Sequence, residues 1–231
     1  ASGYCLTWSL AKKHNWKSSD LLDLAFNIII GGLIGARLYH VIIHWYDYSH
    51  NLIDIVKIWE GGLAIHGAII GGGLALLLTC HKRHWPTWQV ASWLTPSLAL
   101  GQAIGRWGNF FNQELFGPPT NRPWGVPIDV VYRPIEYSAA THFHPLFLYE
   151  SIACSLLALI LYYLNRHTIK AQYIVATYLI GYGLIRFVIE FWRQDPTLYL
   201  LGWRWPQWIS CFMILGGLWL IIYPLILRQK H

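Results

Sequence analysis

The chain has 231 residues, of which 55% are hydrophobic and only 12% are charged, and its formal net charge is +6. This composition excludes an ordinary soluble globular domain and indicates an integral membrane protein with several spans. The basic residues are scattered over short loops, so we expect no nucleic-acid partner; anionic lipid headgroups are the natural partner of such residues. Fourteen Trp and fourteen Tyr residues are typical of aromatic belts at both membrane interfaces.

Three apolar segments occupy the first part of the chain. The first ends at Ala11 and is too short to span, so we expect it to be the rest of a helix that is truncated at its N-terminus. The second covers about 21–45, follows N-cap candidates at 18–20, and contains glycines that allow close helix packing. The loop 46–60 fits either an interfacial segment or a short strand. The third segment covers about 61–80.

Four further apolar segments follow. The fourth begins near Ala91 and ends in the polar stretch 105–117. Residues 118–143 are polar and proline-rich, with a β-type run at 130–132, and we expect a small head without a core of its own. The last three segments cover about 145–164, 173–192 and 207–227.

The loop charges orient these segments. Nine Lys and Arg residues lie on one side and five on the other, which makes the first side cytoplasmic. The nine are Lys12, Lys13, Lys17, Lys82, Arg83, Arg166, Lys170, Arg228 and Lys230. The five are Lys57, Arg122, Arg133, Arg193 and Arg204. We therefore predict an all-α membrane protein in which 1–231 forms a single transmembrane domain of about seven helices, with an extracytoplasmic head, 118–143, between helices four and five.

Polar side chains inside the spans gather at one depth. At about 1.5 Å per residue, most lie within about 10–15 Å of the outer membrane boundary. They are Arg37, His66, Arg106, Asn109, Tyr149, Glu150, Tyr182, Arg186 and Glu190. Ionisable groups in hydrocarbon are costly and are functional-site candidates by default. The pattern predicts a site at the level of an outer-leaflet phospholipid headgroup.

Two arginines stand out in this group. Arg106 and Asn109 recur at helical spacing with Asn112 or Gln113, and we expect Glu114 to be the carboxylate partner of Arg106. Two guanidinium groups in a cleft of low dielectric constant suit a phosphate, because their donors are bidentate and their charge is permanent. The alternative is that the arginines only form ion pairs that hold helices together.

The second arginine belongs to a regular series. Tyr182, Arg186 and Glu190 are spaced i, i+4 and i+8, so they share one helical face, and Glu190 can pair with Arg186.

His66 is the ionisable residue of the third segment and lies among glycines. It is a candidate proton acceptor near neutral pH, although a packing or hydrogen-bonding role is the more common one for a lone membrane histidine. The sequence contains no Ser-His-Asp arrangement, P-loop or metal-ligand spacing, so we predict no metal.

The stretch 105–117, Gly-Arg-Trp-Gly-Asn-Phe-Phe-Asn-Gln-Glu-Leu-Phe-Gly, resembles the signature of bacterial prolipoprotein diacylglyceryl transferases. Supporting matches occur at 35–39, 66–71, 144–150 and 181–194, and the resemblance extends over nearly the whole chain. One departure is Leu146-Phe147, where the family usually has Ser-Gln.

The resemblance implies transfer of the diacylglyceryl group of phosphatidylglycerol to the lipobox cysteine in the signal peptide of a prolipoprotein, with no cofactor, at the outer leaflet of the bacterial inner membrane. It implies catalytic roles for His66, Arg106 and Arg186, with Arg106 on the lipid phosphate and His66 a candidate base for the thiol. The other substrate-binding residues that we expect are Arg37, Asn109, Asn112, Glu114, Gly117, Tyr149, Tyr182 and Glu190. A transporter of an anionic solute and a non-catalytic phospholipid-binding protein are the alternatives.

Overall fold

The computed structural model describes residues 2–167 and 169–228; the predicted cytoplasmic Lys230 lies outside them. In that part of the chain the protein is mostly helical, and each predicted apolar segment coincides with a helix to within a few residues. The α-helices are α1 (Ser2–Ala11), α2 (Ser18–Ile43), α3 (Trp45–Ser49), α4 (Ile65–Lys82), α5 (Thr87–Phe111), α6 (Leu146–Arg166), α7 (Ala171–Glu190) and α8 (Trp205–Arg228).

Five helices in the described chain are long and apolar enough to cross a membrane, namely α2, α4, α6, α7 and the part of α8 over Trp205–Pro224. Helix α1 has only 10 residues, and α5 has 25 residues with Pro96 inside it and the polar stretch at its end. A mostly helical, multi-span protein is therefore confirmed, whereas the count of seven spans stays a prediction.

The chain forms two compact units, residues 11–90 and residues 2–10 with 91–228. In the first unit, α2 and α4 pack backbone to backbone through two pairs of glycines. A Cβ atom on Gly35 would overlap the carbonyl oxygen of Gly67, and one on Gly71 would overlap that of Gly31. The absence of side chains therefore allows the contact, as expected for small residues at an interface between membrane helices.

Replacing Gly67 tests this packing. A Cβ there would overlap the carbonyl oxygen of Gly35 and approach the Cβ of Tyr39 to 2.5 Å. We expect Gly67→Ala to destabilise the protein by at least about 1–3 kcal/mol, the usual cost of overpacking, measured as a lower thermal unfolding temperature in detergent. Gly73→Ala is the matched control, because a Cβ on Gly73 meets nothing within 4 Å. Equal unfolding temperatures for both variants would contradict the packing argument.

The loop that connects α2 to α4 is helical rather than extended. After α3 it forms two 3-10 turns, Leu52–Val56 and Ile58–Glu60, so the strand alternative is wrong. The Asp54 carboxylate lies 2.6 Å from the Lys57 ammonium, and this contact raises the pKa of Lys57.

The second unit is a helical bundle with a small head. Its apolar core includes Ala99 of α5, Leu157 and Leu161 of α6, and Ile174 of α7. Helix α8 packs closely on α7, where a Cβ on Gly183 would come within 3.0 Å of the Ser210 carbonyl oxygen.

The head between α5 and α6 contains an antiparallel pair, β1 (Val126–Pro127) with β2 (His142–Phe143). The run 130–132 forms a 3-10 turn, so its assignment as a β-type run is wrong. Ile128 and Phe143 of the head form a small buried cluster with Phe116, which precedes the head in the chain.

A second hairpin connects α7 to α8. It consists of β3 (Tyr199–Leu200) and β4 (Trp203–Arg204), and the two residues between the strands both have positive φ, as in a type I′ turn.

Candidate active site

The polar stretch 105–117 begins on α5 and continues through a specific helix end. Gln113 has a left-handed backbone with φ of 51°, its N–H donates to the Phe110 carbonyl, and the Glu114 N–H donates to the Asn109 carbonyl. These two bonds form a Schellman motif, which usually places glycine at the left-handed position. The side chain of Gln113 holds the turn, since its amide donates to Asp129 Oδ2 at 2.8 Å and its oxygen accepts from the Asp129 N–H at 2.7 Å.

This turn directs Glu114 back towards the helix. Its Oε1 accepts hydrogen bonds from Asn109 at 2.9 Å and from Asn112 at 3.2 Å. Asn109 in turn accepts from Arg106 Nη1 at 3.2 Å, which confirms that these two residues share a helical face. Glu114 is therefore connected to Arg106 through Asn109, and the prediction of a direct ion pair between Arg106 and Glu114 is wrong.

The carboxylate partner of Arg106 is Glu150, near the start of α6. Its Oε1 lies 3.2 Å from Arg106 Nε, and its Oε2 accepts from Arg186 Nη1 at 3.0 Å. The carboxylate is only 3% exposed. One buried side chain from α6 therefore brings together an arginine from α5 and an arginine from α7.

A second buried carboxylate continues the network. Glu190 Oε2 accepts from Arg186 Nη2 at 3.1 Å, which confirms the predicted i, i+4 pair. Its Oε1 accepts from Arg204 Nε at 2.8 Å, and Arg193 Nη1 lies 3.6 Å from Oε2. Asp195 completes the cluster through a bidentate contact with Arg193 at 2.7 and 2.9 Å.

We call this set the arginine–carboxylate network; its members are Arg106, Glu150, Arg186, Glu190, Arg193, Asp195 and Arg204. In the described chain it holds four arginines and three carboxylates, which leaves one excess positive charge. Arg106 is its most exposed arginine, at 21%, against 13% for Arg186. An anion approaching the network would therefore meet Arg106 most readily.

Burial lowers the pKa of Arg204, but hydrogen bonds to Glu190 and Tyr199 and the charges of Glu190 and Asp195 outweigh that effect. The net pKa of Arg204 is raised above its ordinary value, so this arginine stays charged.

Other expected site residues have distinct surroundings. Tyr182 stacks on Tyr178 with ring centroids 6.0 Å apart, one turn from Arg186 on α7. The Tyr149 hydroxyl is hydrogen-bonded to Trp124 Nε1 and His144 Nδ1, each at 2.9 Å, and so connects the start of α6 to the head.

Gly117 follows the signature turn and packs against the chain that leads into α6. Its N–H donates to the His144 carbonyl at 2.9 Å, and a Cβ on it would come within 3.0 Å of the His144 Cβ.

A cavity of 320 Å³ adjoins the signature turn. Asn109, Gln113, Glu114 and Asp129 supply its polar wall, and the rest of the lining is apolar and mostly aromatic. Asn109 thus contacts the cavity and also accepts a hydrogen bond from Arg106.

In the unit formed by residues 11–90, Arg37 is buried, and all three nitrogens of its guanidinium group donate hydrogen bonds to backbone carbonyl oxygens. Its Nε donates to Ile55, Nη1 to Gly61 and Gly62, and Nη2 to Asp54 and, at 3.4 Å, to Lys57. The geometry is that of a clamp on the loop 54–62.

Removing the clamp should expose the loop to protease. We expect Arg37→Gln to speed tryptic cleavage after Lys57 by about tenfold or more, because hydrogen bonds to a charged donor contribute about 1.5–3 kcal/mol each. Peptide mass spectrometry of the digest measures the rate. Arg83→Gln is the control, since the contacts of Arg83 are an exposed ion pair with Asp23, at 2.9 Å, and the face of the Trp85 ring, and neither partner belongs to the loop 54–62. Unchanged cleavage in Arg37→Gln would show that the loop holds its shape without the clamp.

His66 lies in the first turn of α4 and is exposed. Its ring lies beside Tyr39, with centroids 5.9 Å apart.

Three residues of the network were not expected from the sequence as site residues: Arg193, Asp195 and Arg204. Glu150 was recognised as a polar residue at the right depth and as part of the family match at 144–150, but not as a site residue. The available signal for Glu150 was a lone carboxylate within an apolar span, which requires a cationic partner. Across residues 2–167 and 169–228, no three His, Cys, Asp or Glu side chains group as a metal site.

Comparison with known proteins gives matches over almost the whole chain. The family model described as prolipoprotein diacylglyceryl transferase matches residues 1–223. A Synechococcus elongatus protein named phosphatidylglycerol–prolipoprotein diacylglyceryl transferase is 44% identical over 228 residues, covering 94% of this chain and 78% of the relative. Proteins of the same name from Parasynechococcus marenigrum and Acaryochloris marina are 45% and 43% identical, covering 90% and 95% of this chain and 78% and 82% of the relatives.

Proposed function

Because the chain belongs to the prolipoprotein diacylglyceryl transferase family, we propose that it transfers the diacylglyceryl group of phosphatidylglycerol to the thiol of a lipobox cysteine. The sulfur forms a bond to the glyceryl carbon that carries the phosphate. The carbon–oxygen bond to the phosphate breaks, its electron pair leaves with glycerol phosphate, and a thioether remains on the prolipoprotein.

The observation that carries the proposal is the pairing of Arg106 and Arg186 on Glu150. The leaving phosphate gains negative charge as the carbon–oxygen bond breaks, and prearranged cations stabilise such charge in the transition state. Two guanidinium groups from separate helices, held by one carboxylate and embedded in a network with excess positive charge, have the required chemistry. Asn109 and Glu114 support Arg106 from the signature turn.

The position of the network along its helices supports a lipid substrate. Arg106, Glu150 and Arg186 all stand four or five residues from an end of their helices, that is, about 6–8 Å along the axis. Transporters usually bind their solutes near the membrane midplane, so this placement favours the lipid substrate. In our proposal the protein sits in the bacterial inner membrane with seven spans, the head is extracytoplasmic, and the network faces the outer leaflet.

The remaining expected residues take supporting roles in this proposal. Tyr182 borders Arg186, Gly117 allows the close approach of the head to the signature turn, and Asn112 supports Glu114. Arg37 positions the loop 54–62 instead of contacting the headgroup. We assign Tyr149 to the arrangement of the head, through its bonds to Trp124 and His144.

A direct assay tests the function. The full-length protein is placed in phosphatidylglycerol vesicles with a lipobox peptide, and mass spectrometry measures the addition of one diacylglyceryl unit to cysteine. A peptide with serine in place of cysteine and vesicles of phosphatidylethanolamine are the controls. A peptide mass that stays unchanged in phosphatidylglycerol would refute the proposal.

The proton acceptor for the thiol is a separate question. We propose His66; polarisation of the thiol by the arginines without a base is the alternative. A free cysteine thiol has a pKa of about 8.5 and ionises without help above it. We therefore expect the activity lost in His66→Gln to recover as the pH rises from about 7 to 9.5. A loss that is constant across this range would exclude His66 as the base.

A further inference from the structure

Arg204 lies outside the spans, on the hairpin between α7 and α8, yet it is only 8% exposed. Its Nε donates to Glu190 Oε1 at 2.8 Å, and its two Nη atoms donate to the backbone carbonyls of Arg193 and Asp195 at 3.3 and 2.8 Å. Its own N–H donates to Gln207 Oε1 at 3.0 Å. Arg204 therefore joins the end of α7, the following loop and the start of α8.

Arg204 and Arg186 bind different oxygens of the Glu190 carboxylate. Oε1 is taken by Arg204, so Oε2 alone serves Arg186 Nη2. A carboxylate and a guanidinium prefer a bidentate contact. With Oε1 released, Glu190 could engage both sides of Arg186 and draw it away from Glu150.

Arg204 also sets the charge of the network. The excess positive charge exists only because Arg204 offsets Glu190, while Arg186 is shared between Glu190 and Glu150. Without Arg204, four arginines become three against three carboxylates, and the attraction of the network for an anion falls.

We propose that Arg204 is a positioning residue that holds Glu190 so that Arg186 stays directed at Glu150 and available to the lipid phosphate. The inference rests on the proposed function, because the phosphate is the group that Arg186 would bind. Arg204 itself contacts no substrate; it acts through Glu190 and Arg186.

The test compares kcat and KM for phosphatidylglycerol in the vesicle assay. We expect Arg204→Gln to lower kcat/KM by about 10²-fold, the usual effect of a misplacement of about 1 Å in a catalytic group. Arg204→Lys keeps the charge but lacks the planar fork, so we expect only partial recovery. Arg166→Gln, which removes an exposed arginine that contacts the Tyr162 ring, is the control and should keep wild-type kinetics.

A double-mutant cycle separates positioning from a general structural role. If Arg204 acts through Arg186, Arg204→Gln should add little to the loss already caused by Arg186→Lys. Losses that multiply, or wild-type kcat/KM in Arg204→Gln or in Arg204→Lys, overturn the proposal. If Arg204→Gln does not fold, as shown by its thermal unfolding, the same cycle with Arg204→Lys decides. An inactive wild-type protein would refute the proposed function instead, so the two failures are distinguishable.

Discussion

Arg106→Ala is expected to lower kcat/KM for phosphatidylglycerol by about 10³-fold while leaving the unfolding temperature close to that of the wild type. The loss follows from removing a fixed cation from the leaving phosphate, where a single preorganised donor contributes about 10²–10³-fold and an arginine about 10³–10⁵-fold. Stability should change little, because Arg106 is the most exposed arginine of the network, and Glu150 keeps its contact with Arg186.

Arg186→Ala should differ from Arg106→Ala in one measurable respect. Its loss of activity should be as large, but it removes the cation shared by two buried carboxylates. Breaking a buried ion pair typically costs about 3–5 kcal/mol, so the unfolding temperature should fall as well.

Lysine variants test the chemistry of the two arginines. Arg106→Lys and Arg186→Lys keep the charge but cannot present two parallel donors, so we expect each to recover less than about a tenth of the lost activity. Full recovery with lysine would show that charge alone is needed. Wild-type activity in Arg106→Ala would contradict the assignment of the phosphate to this arginine.

The sequence was sufficient to predict the helices because long apolar runs are local features. The regions 21–45, 61–80 and 145–164 were identified in this way, and α2, α4 and α6 agree with them apart from a few residues at their ends. The sequence did not decide the conformation of the loop 46–60, because its Leu, Ile and Val residues suit both a strand and a surface segment. Arg37 of α2 donates hydrogen bonds to the backbone of this loop. That is a tertiary contact, which a local sequence pattern does not show.

The two arginines of the site were also predictable, since each is an ionisable residue within a predicted apolar segment. The carboxylate partners of these arginines were only partly predictable from the sequence. Glu190 follows from the i, i+4 spacing with Arg186. Glu114 was chosen for Arg106 because it is near in sequence, but the left-handed turn at Gln113 directs it to Asn109. The true partner, Glu150, lies 44 residues away from Arg106 on another helix, and no local pattern connects them.

Glu150→Gln is expected to lower kcat/KM by about 10²-fold and to reduce the unfolding temperature. The substitution keeps the size of the side chain but removes the charge that lies between Arg106 and Arg186. The two guanidinium groups then repel each other and move apart, so they no longer stand where both could contact one phosphate. Loss of a buried charge that pairs two cations costs about 3–5 kcal/mol, whereas a misplacement of about 1 Å in a catalytic group costs about 10²-fold in rate.

A lower KM with an unchanged kcat in Glu150→Gln would contradict this role. It would show that Glu150 only competes with the lipid phosphate for the arginines. Glu136→Gln, which alters an exposed carboxylate of the head, is the control for the loss of one negative charge.

In the Arg106→Ala background, Glu150→Gln should cost less activity than in the wild type, because one of the two cations that Glu150 joins is already absent. An undiminished cost in that background would show that Glu150 acts independently of the arginine pair.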